Sequence, residues 1–354
     1  MADIRILVAG LGTMGLAHAR AYRNVGGFQL AGLCTSRAPE RGDLTDEFPG
    51  VPLYENFGEA LAAVKPDAVS ISTYTQSHAE YCLAALAAGC HVFCEKPLAA
   101  NIADARRVID TARSAQRQLL IGYILRVHPG WTRFVEIGRT LGKPLVMRMN
   151  LNQQSSGAQW AVHKALMGAT SPIVDCGVHY VDIMCQVTGA KPVSVHAVGA
   201  RLTGEVAASM YNYGHMHVSF DDGSVGWYEA GWGPMISETA FFVKDMIGPN
   251  GCVSIVPAGS AGSADHAGHT RANALRLHHA GLSASGQFLK PDEILDMPEE
   301  PGHQGLCDLE QKLFRDCIRE GRDLTAHHAA ALNSLRIVFA ADESIRSGKV
   351  VYLD

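Results

Sequence analysis

Three glycines, in the run Gly10-Leu11-Gly12-Thr13-Met14-Gly15, stand between an apolar β-prone stretch, Ile4–Ala9, and a helical pattern that starts near Leu16. A chain that leaves a strand and enters a helix within so few residues must turn sharply. Gly10 permits the turn, Gly12 lets the backbone approach whatever lies in front of the helix, and Gly15 lets helix and strand pack closely. The helix N-terminus, reached through Thr13 and Met14, then offers backbone N–H groups that have no partner within the helix and favour an anion. Strand before and helix after give this turn the context that a dinucleotide pyrophosphate site requires.

The same rhythm continues to about residue 122. Short apolar runs at Ile4–Ala9, Phe28–Cys34, Ala68–Thr73, His91–Cys94 and Leu119–Tyr123 alternate with helical patterns at Leu16–Val25, Glu55–Val64, Ser77–Ala88 and Ile102–Ala115. Alternation of this kind predicts a parallel, doubly wound sheet covered by helices on both faces. Beyond residue 123 the pattern changes. One helix, Pro129–Arg139, precedes Leu145–Asn152, and strands at Val193–Leu202, His215–Phe220, Ser224–Ala230, Thr239–Ile247 and Cys252–Val256 then follow one another. Asp221-Asp222-Gly223-Ser224 reads as a hairpin turn, Ala258–Ala274 as a loop, and Gly305–Glu320 and Thr325–Gly348 as closing helices. The expectation is an α/β Rossmann domain over 1–122 and an α+β domain over 123–354 with a largely antiparallel, open-faced sheet.

Composition narrows the function. The 354 residues fit roughly two domains of about 150 residues. Lys plus Arg is 30 against 35 Asp plus Glu, a net charge of −5 without a basic run, so no nucleic-acid partner is expected. The longest apolar runs, such as Leu83–Ala88, are too short to span a bilayer, and the start Met1-Ala2-Asp3-Ile4-Arg5 leads straight into a strand. A cytoplasmic location without membrane contact is the reading. The nine cysteines have no pair at metal or redox spacing and read as reduced, mostly buried thiols. His215/His217, His278/His279 and His327/His328 assemble no ligand set by spacing, so no metal is assigned.

Three further stretches carry chemistry. At the end of the second strand Cys34-Thr35-Ser36-Arg37 has no carboxylate for a ribose diol until Glu40, whereas Thr35, Ser36 and Arg37 suit a 2′-phosphate, which favours NADP(H) over NAD(H). Glu95-Lys96-Pro97 follows the fourth run, at the carboxyl edge where ligands bind such sheets, and a lysine there can bind a hydroxyl or carbonyl oxygen. Farther on, Asp175 and His179 are four apart in Pro172–Asp182 and share a helix face, so the carboxylate can orient the ring as a general base. Taken singly, these are also the residues of a surface turn and an amphipathic helix.

Together they resemble the Gfo/Idh/MocA family, named for glucose-fructose oxidoreductase, inositol dehydrogenase and a rhizopine-catabolism protein. The likeness spans nearly the whole chain. It comprises the glycine turn, Ser72-Thr73 with His78, Glu95-Lys96-Pro97, Gly122-Tyr123 with Arg126 and His128-Pro129, Asp175-Cys-Gly-Val-His179, and the closing Ala329, Ala331, Ser334, Ala340, Ser344 and Gly348-Lys349-Val350-Val351. The resemblance implies hydride transfer between a nicotinamide and a secondary alcohol of a sugar, cyclitol or related polyol. It implies proton transfer by Lys96 and His179 with support from Asp175, and a nicotinamide near Thr73, His78, Glu95 and Lys96. It also offers Tyr123, Arg126, Gln153, Trp160 and His163 as substrate contacts. Two departures stand out: Ala169-Thr170-Ser171-Pro172 replaces a Gly-rich stretch, and Thr73-Tyr74-Thr75-Gln76 replaces the commoner Thr-Pro-Asn. Two alternatives stay open at this point, a glycosidase working by transient oxidation and elimination, and a cofactor-sensing regulatory protein. An open-faced sheet exposing Val225, Trp227 and Tyr228 implies a homodimer or homotetramer through that face.

Overall fold

The computed structural model describes residues 2–40, 42–237, 243–256, 270–297 and 301–353. They form two compact units, one from 1–124 with 301–332 and the other from 125–300 with 333–354. The stretch 301–332, grouped by the sequence reading with the second domain, thus packs with the first.

In the first unit, strands β1 (Ile4–Ala9), β2 (Phe28–Cys34), β3 (Leu53–Tyr54), β4 (Ala68–Ile71), β5 (His91–Glu95) and β6 (Leu119–Gly122) are ordered β3-β2-β1-β4-β5-β6. All of these pairings are parallel. The order reverses between β1 and β4, the switch point at which such sheets bind ligands beyond their carboxyl ends. β4 and β6 are buried at every residue, as expected of strands covered on both faces. Helices α1 (Thr13–Asn24), α2 (Asp43–Glu47), α3 (Phe57–Val64), α4 (Thr75–Ala87) and α5 (Ile102–Ser114) alternate with the strands. The core joins Ile6, Val8, Leu33, Phe93 and Leu120 to Tyr22 of α1 and to Phe314. Phe314 belongs to α9 (His303–Glu320), and its ring lies 6.4 Å from that of Phe28, so α9 closes the sheet face on which α1 lies.

The second unit holds α6 (Pro129–Gly138), β7 (Val146–Gln154), α7 (Gly157–Leu166), α8 (Pro172–Thr188), β8 (Pro192–Ala200), β9 (Tyr213–Phe220), β10 (Val225–Gly233), β11 (Lys244–Gly248), β12 (Gly251–Val256), β13 (Ala274–His279), β14 (Glu293–Asp296) and β15 (Val351–Tyr352). Their sheet runs β14-β13-β12-β11-β7-β10-β9-β8-β15 among the described residues. Every pairing is antiparallel except β7 with β10, so the sheet is mixed although mostly antiparallel. The last helix, α10 (Thr325–Ser347), begins in the first unit and continues into the second.

α8 is long because its ends are well defined. Ser171 Oγ caps the first turn by accepting the Val174 N–H at 3.1 Å, Pro172 occupies the first turn, and Gly189 at φ +63° ends the helix. The sequence departure at Ser171-Pro172 is therefore a helix start. α8 lies on β10, and Gly177 makes the approach possible, since a Cβ there would sit 2.8 Å from the Tyr228 ring. Tyr228 corrects one expectation: it is fully buried on the inner face, because alternation along β10 turns Val225 and Trp227 outward and Tyr228 inward.

Of the expected strand Thr239–Ile247, residues 239–242 lie outside the described residues, as do 258–269 of the expected loop Ala258–Ala274. Beyond them β13 and β14 form a hairpin that periodicity did not reveal. There His278 Nδ1 meets Asp292 Oδ1 at 2.8 Å and His279 Nε2 meets Glu293 Oε1 at 2.6 Å. No helix among the described residues is long and apolar enough to cross a membrane.

Candidate active site

The first unit brings three loops together at the carboxyl ends of neighbouring strands. The glycine turn follows β1, Ser72-Thr73 follows β4, and Glu95-Lys96-Pro97 ends and follows β5. Gly10 has φ +87°, and a Cβ on it would lie 2.5 Å from the Ser72 carbonyl group. A Cβ on Gly15 would lie 1.7 Å from the Gly10 carbonyl oxygen, whereas one on Gly12 would meet no atom within 4 Å. Gly12 is the N-cap of α1 and no side chain caps the helix, so the N–H groups of its first turn, at Thr13 and Met14, face space kept clear in front of them. A dinucleotide pyrophosphate fits this cradle.

At the end of β2 Thr35 is half-buried and bonded through its N–H to Tyr54 O at 3.0 Å, while Ser36 and Arg37 are exposed. Glu40, the first carboxylate after the strand, sits on a separate short turn, Ala38–Glu40.

His78 of α4 ties two of the loops together. Its Nδ1 lies 2.8 Å from Pro97 O and its Nε2 3.0 Å from Thr73 O. Burial pulls its pKa down although both carbonyls favour the charged ring. Glu95 is buried and accepts from the Lys96 N–H at 3.2 Å, and its other oxygen lies 2.6 Å from Nε2 of the buried His18. Burial opposes its ionisation, but the His18 hydrogen bond and the charge of Lys96 outweigh this and hold its carboxyl below the usual range. Lys96 is half-buried beside it. Tyr123, at the end of β6, is buried with its ring edge toward His327. His327 Nε2 accepts the Ile121 N–H at 3.0 Å and His328 Nε2 lies 2.8 Å from Leu119 O, so this histidine pair binds the start of α10 to β6.

The second unit places Asp175 and His179 one turn apart on α8, Asp175 half-buried and His179 buried. Near Asp175, Cys176 Sγ approaches its Oδ2 at 3.6 Å. Gln153 of β7 accepts from Trp232 Nε1 at 2.9 Å, and His163 of α7 stacks on that same Trp232 with ring centroids 4.5 Å apart. His163 Nδ1 also meets Ser155 Oγ at 3.0 Å, and Trp160 Nε1 donates to Glu205 Oε1 at 3.2 Å. Arg126 instead forms a two-pronged ion pair with buried Asp182 of α8, at 2.8 and 2.5 Å, and Gln186 Nε2 donates to the same carboxylate.

Sequence reasoning missed His18, Glu310 and Gln311, which surround Glu95 from α1 and α9. Their only signal was a polar side chain on an apolar helix face. Donor atoms of His18, Cys307 and Glu310 lie within 4.8 Å of one another, yet both His18 nitrogens are already hydrogen-bonded, to Glu95 and to Gln311.

Comparison with known proteins places these features in one family. Residues 4–123 match a model described as "Oxidoreductase family, NAD-binding Rossmann fold", and residues 138–239 match the "GFO/IDH/MocA C-terminal domain". The chain is 27% identical to D-glucoside 3-dehydrogenase of Escherichia coli over 72% of its own length and 78% of the relative's. It is 26% identical to scyllo-inositol 2-dehydrogenase (NAD(+)) of Bacillus subtilis over 99% and 97% of the two chains. Among solved structures, an NAD binding oxidoreductase from Klebsiella pneumoniae superposes with a TM-score of 0.81 at 20% identity over the full length of both, a likeness of fold. The glycine cradle at the switch point of the first unit and, in the second, α8 with strands β7 to β10 thus each fall within matched stretches, and the chain belongs to the Gfo/Idh/MocA family of oxidoreductases.

Proposed function

We propose that this protein is an NAD(P)-dependent dehydrogenase that moves hydride between a nicotinamide and a secondary alcohol of a sugar, cyclitol or related polyol. One observation carries the reading: Lys96, the residue that follows β5, sits at the same sheet edge as the glycine cradle and rests against a buried carboxylate, Glu95. Relatives named as glucoside and inositol dehydrogenases support the substrate class.

A bound nicotinamide supplies the acceptor or donor of hydride. Thr13 and Met14 would hold the pyrophosphate through backbone N–H groups beside Gly12, with Gly10 and Gly15 keeping the turn tight against β1 and β4, and Thr73, His78 and Glu95 would shape the loops beside the nicotinamide. Lys96 binds the reacting oxygen and polarises the carbonyl in the reverse direction. His179 takes the hydroxyl proton, and Asp175 favours the imidazolium that results. Tyr123, Gln153, Trp160 and His163 belong to the substrate walls. Arg126 acts at one remove, by holding α8 through Asp182.

NADP(H) is the preferred cofactor in this reading, because exposed Arg37 and its neighbours Thr35 and Ser36 stand where an NAD site carries a carboxylate. Active assemblies are dimers or tetramers joined through the outer face of the second unit's sheet. The test is a fluorescence titration with NADPH and NADH, then a polyol and sugar panel followed at the nicotinamide absorbance. The expected result is turnover lost in Lys96→Ala and His179→Ala, and about tenfold weaker NADPH binding in Arg37→Ala with NADH unchanged, as for loss of one exposed charge-assisted bond. Turnover that survives both alanine variants would overturn the assignment of roles.

A further inference from the structure

Behind Glu95 the first unit buries a chain of polar side chains that the proposed roles leave unused. Tyr22 Oη donates to Gln311 Oε1 at 2.6 Å, Gln311 Nε2 faces His18 Nδ1 at 2.9 Å, and His18 Nε2 faces Glu95 Oε1 at 2.6 Å. Glu95 Oε2 then accepts the Lys96 N–H. Tyr22, His18 and Gln311 are each 1% exposed or less. Direction follows from donor chemistry. With Tyr22 bonded to the amide oxygen, Gln311 turns its NH2 toward His18, and an NH2 group can only donate. Nδ1 of His18 is then the lone-pair nitrogen, and the ring's N–H sits on Nε2, aimed at Glu95.

A second carboxyl makes that direction matter. Glu310, the residue before Gln311, is buried, its Oε2 has no hydrogen-bond partner, and an oxygen of it lies in the cluster with His18 and Cys307. Burial first, and then the charge of Glu95, push the Glu310 pKa up and so favour its neutral form. The groups facing this pair are His18 and Tyr22 from α1, His78 from α4, Lys96 after β5, and Cys307 from α9. One negative charge is shared between two neighbouring carboxyls, and the His18 tautomer decides which of them carries it. An N–H at Nε2 places it on Glu95, beside Lys96. A lone pair at Nε2 would require Glu95 to hold a proton.

We propose that Gln311 is a positioning residue for the Glu95-Lys96 turn, fixing the His18 ring so that its N–H points at Glu95 and the carboxylate is kept next to Lys96. This deepens the reading of Lys96 given above and rests on it. Gln311 lies far from Lys96 in sequence, on the helix that packs with the first unit rather than the second.

The test needs no substrate. Nitrogen-15 histidine spectra, with His18 assigned by its loss in His18→Gln, report the tautomer directly. The expected state near neutral pH is a neutral ring protonated at Nε2, and Gln311→Glu, which can accept but not donate at that end, moves the proton to Nδ1 or gives a doubly protonated ring. Carbon-13 methylated lysine spectra, with Lys96 assigned by its loss in Lys96→Arg, are expected to show its titration midpoint lower by about one unit in Gln311→Met, as for loss of a nearby anion. A wild-type ring protonated at Nδ1 alone overturns the proposal without any variant. An unchanged Lys96 midpoint in a folded Gln311→Met, verified by melting and NADPH titration, overturns it as well. Turnover that survives in Lys96→Ala would instead sink the functional reading and leave the tautomer result standing.

Discussion

Gly12 and Gly15 are glycines for different reasons, and two alanine variants separate them. A methyl at Gly15 would collide with the Gly10 carbonyl oxygen, so Gly15→Ala forces helix and strand apart and is expected to cost about 2–4 kcal/mol of stability. A methyl at Gly12 meets no protein atom but fills the space in front of α1. Gly12→Ala is therefore expected to keep the melting temperature and lose NADPH affinity by tenfold or more, about 1.4 kcal/mol; unchanged affinity would mean the pyrophosphate lies elsewhere. Glu310 gives a prediction with a pH sign. Its folded-state pKa is raised, chiefly by burial and then by Glu95, so the protonated native form is favoured. Stability on its account is complete below the unfolded value, about 4.3, and falls as pH rises toward the folded value. Glu310→Gln removes that loss: its melting temperature should match wild type near about pH 4.5 and exceed it at about pH 8, by about 2–4 °C per kcal/mol. An equal gain at both pH values would show a packing effect and no titration. The glycine turn, the place of Lys96 after a strand and that of His179 on a helix were legible in the sequence because local context defines them. Glu310 and Gln311 were not, because their burial depends on α9 folding back onto α1 from nearly three hundred residues away.

Between elements, the decisive contact in the second unit is the Arg126–Asp182 pair, which ties the turn Ile124–Arg126 to α8. The arginine side chain is 14% exposed and the aspartate 1%. Loss of the guanidinium leaves a buried carboxylate bonded, among the described residues, to Gln186 alone, so Arg126→Met is expected to destabilise by about 3–5 kcal/mol. Replacing both partners, Arg126→Met with Asp182→Leu, should recover most of that, since an apolar pair carries no desolvation cost. Urea unfolding of the two variants measures this. A double variant that is stable but binds the polyol poorly would return Arg126 to the substrate contacts. Sequence reasoning found the long elements of this unit, including the start of α8 although not its last six residues, because their apolar faces repeat over several turns or strands. It missed α7, which starts at Gly157 with φ +52° and no side-chain cap, and the β13–β14 hairpin, whose residues are mostly half-exposed. It also missed β3, whose two residues are too short to show any period.

At the scale of the molecule, the outer face of the second sheet is the surface through which the proposed assembly would form. Register places Val225, Val146 and Ile247 side by side on three adjacent strands, and they are 42%, 40% and 37% exposed. The next row outward-facing across the same strands is Trp227, Arg148 and Asp245, the last two joined as an ion pair. A contiguous aliphatic row beside a satisfied charge pair is better suited to a second copy of the same sheet than to water. Three histidines flank it: His196 is paired across strands with His217, and His215 lies two residues along on the same face, its ring 5.9 Å from that of His217. Burial first, and then His215 and His196, push the pKa of His217 below its ordinary value, so it stays neutral at pH 7 and gains charge only in more acid solution. A charge gained by His217 faces two further imidazoles, and burying it between two copies costs desolvation. Assembly should therefore be strong at neutral pH and weaken as the pH falls below about 7 and His217 gains its charge. Light scattering across that range checks the sign, and Val225→Glu should give monomers at every pH with little change in melting temperature. A dimer that persists in Val225→Glu, or one that tightens in acid, would place the interface on another face.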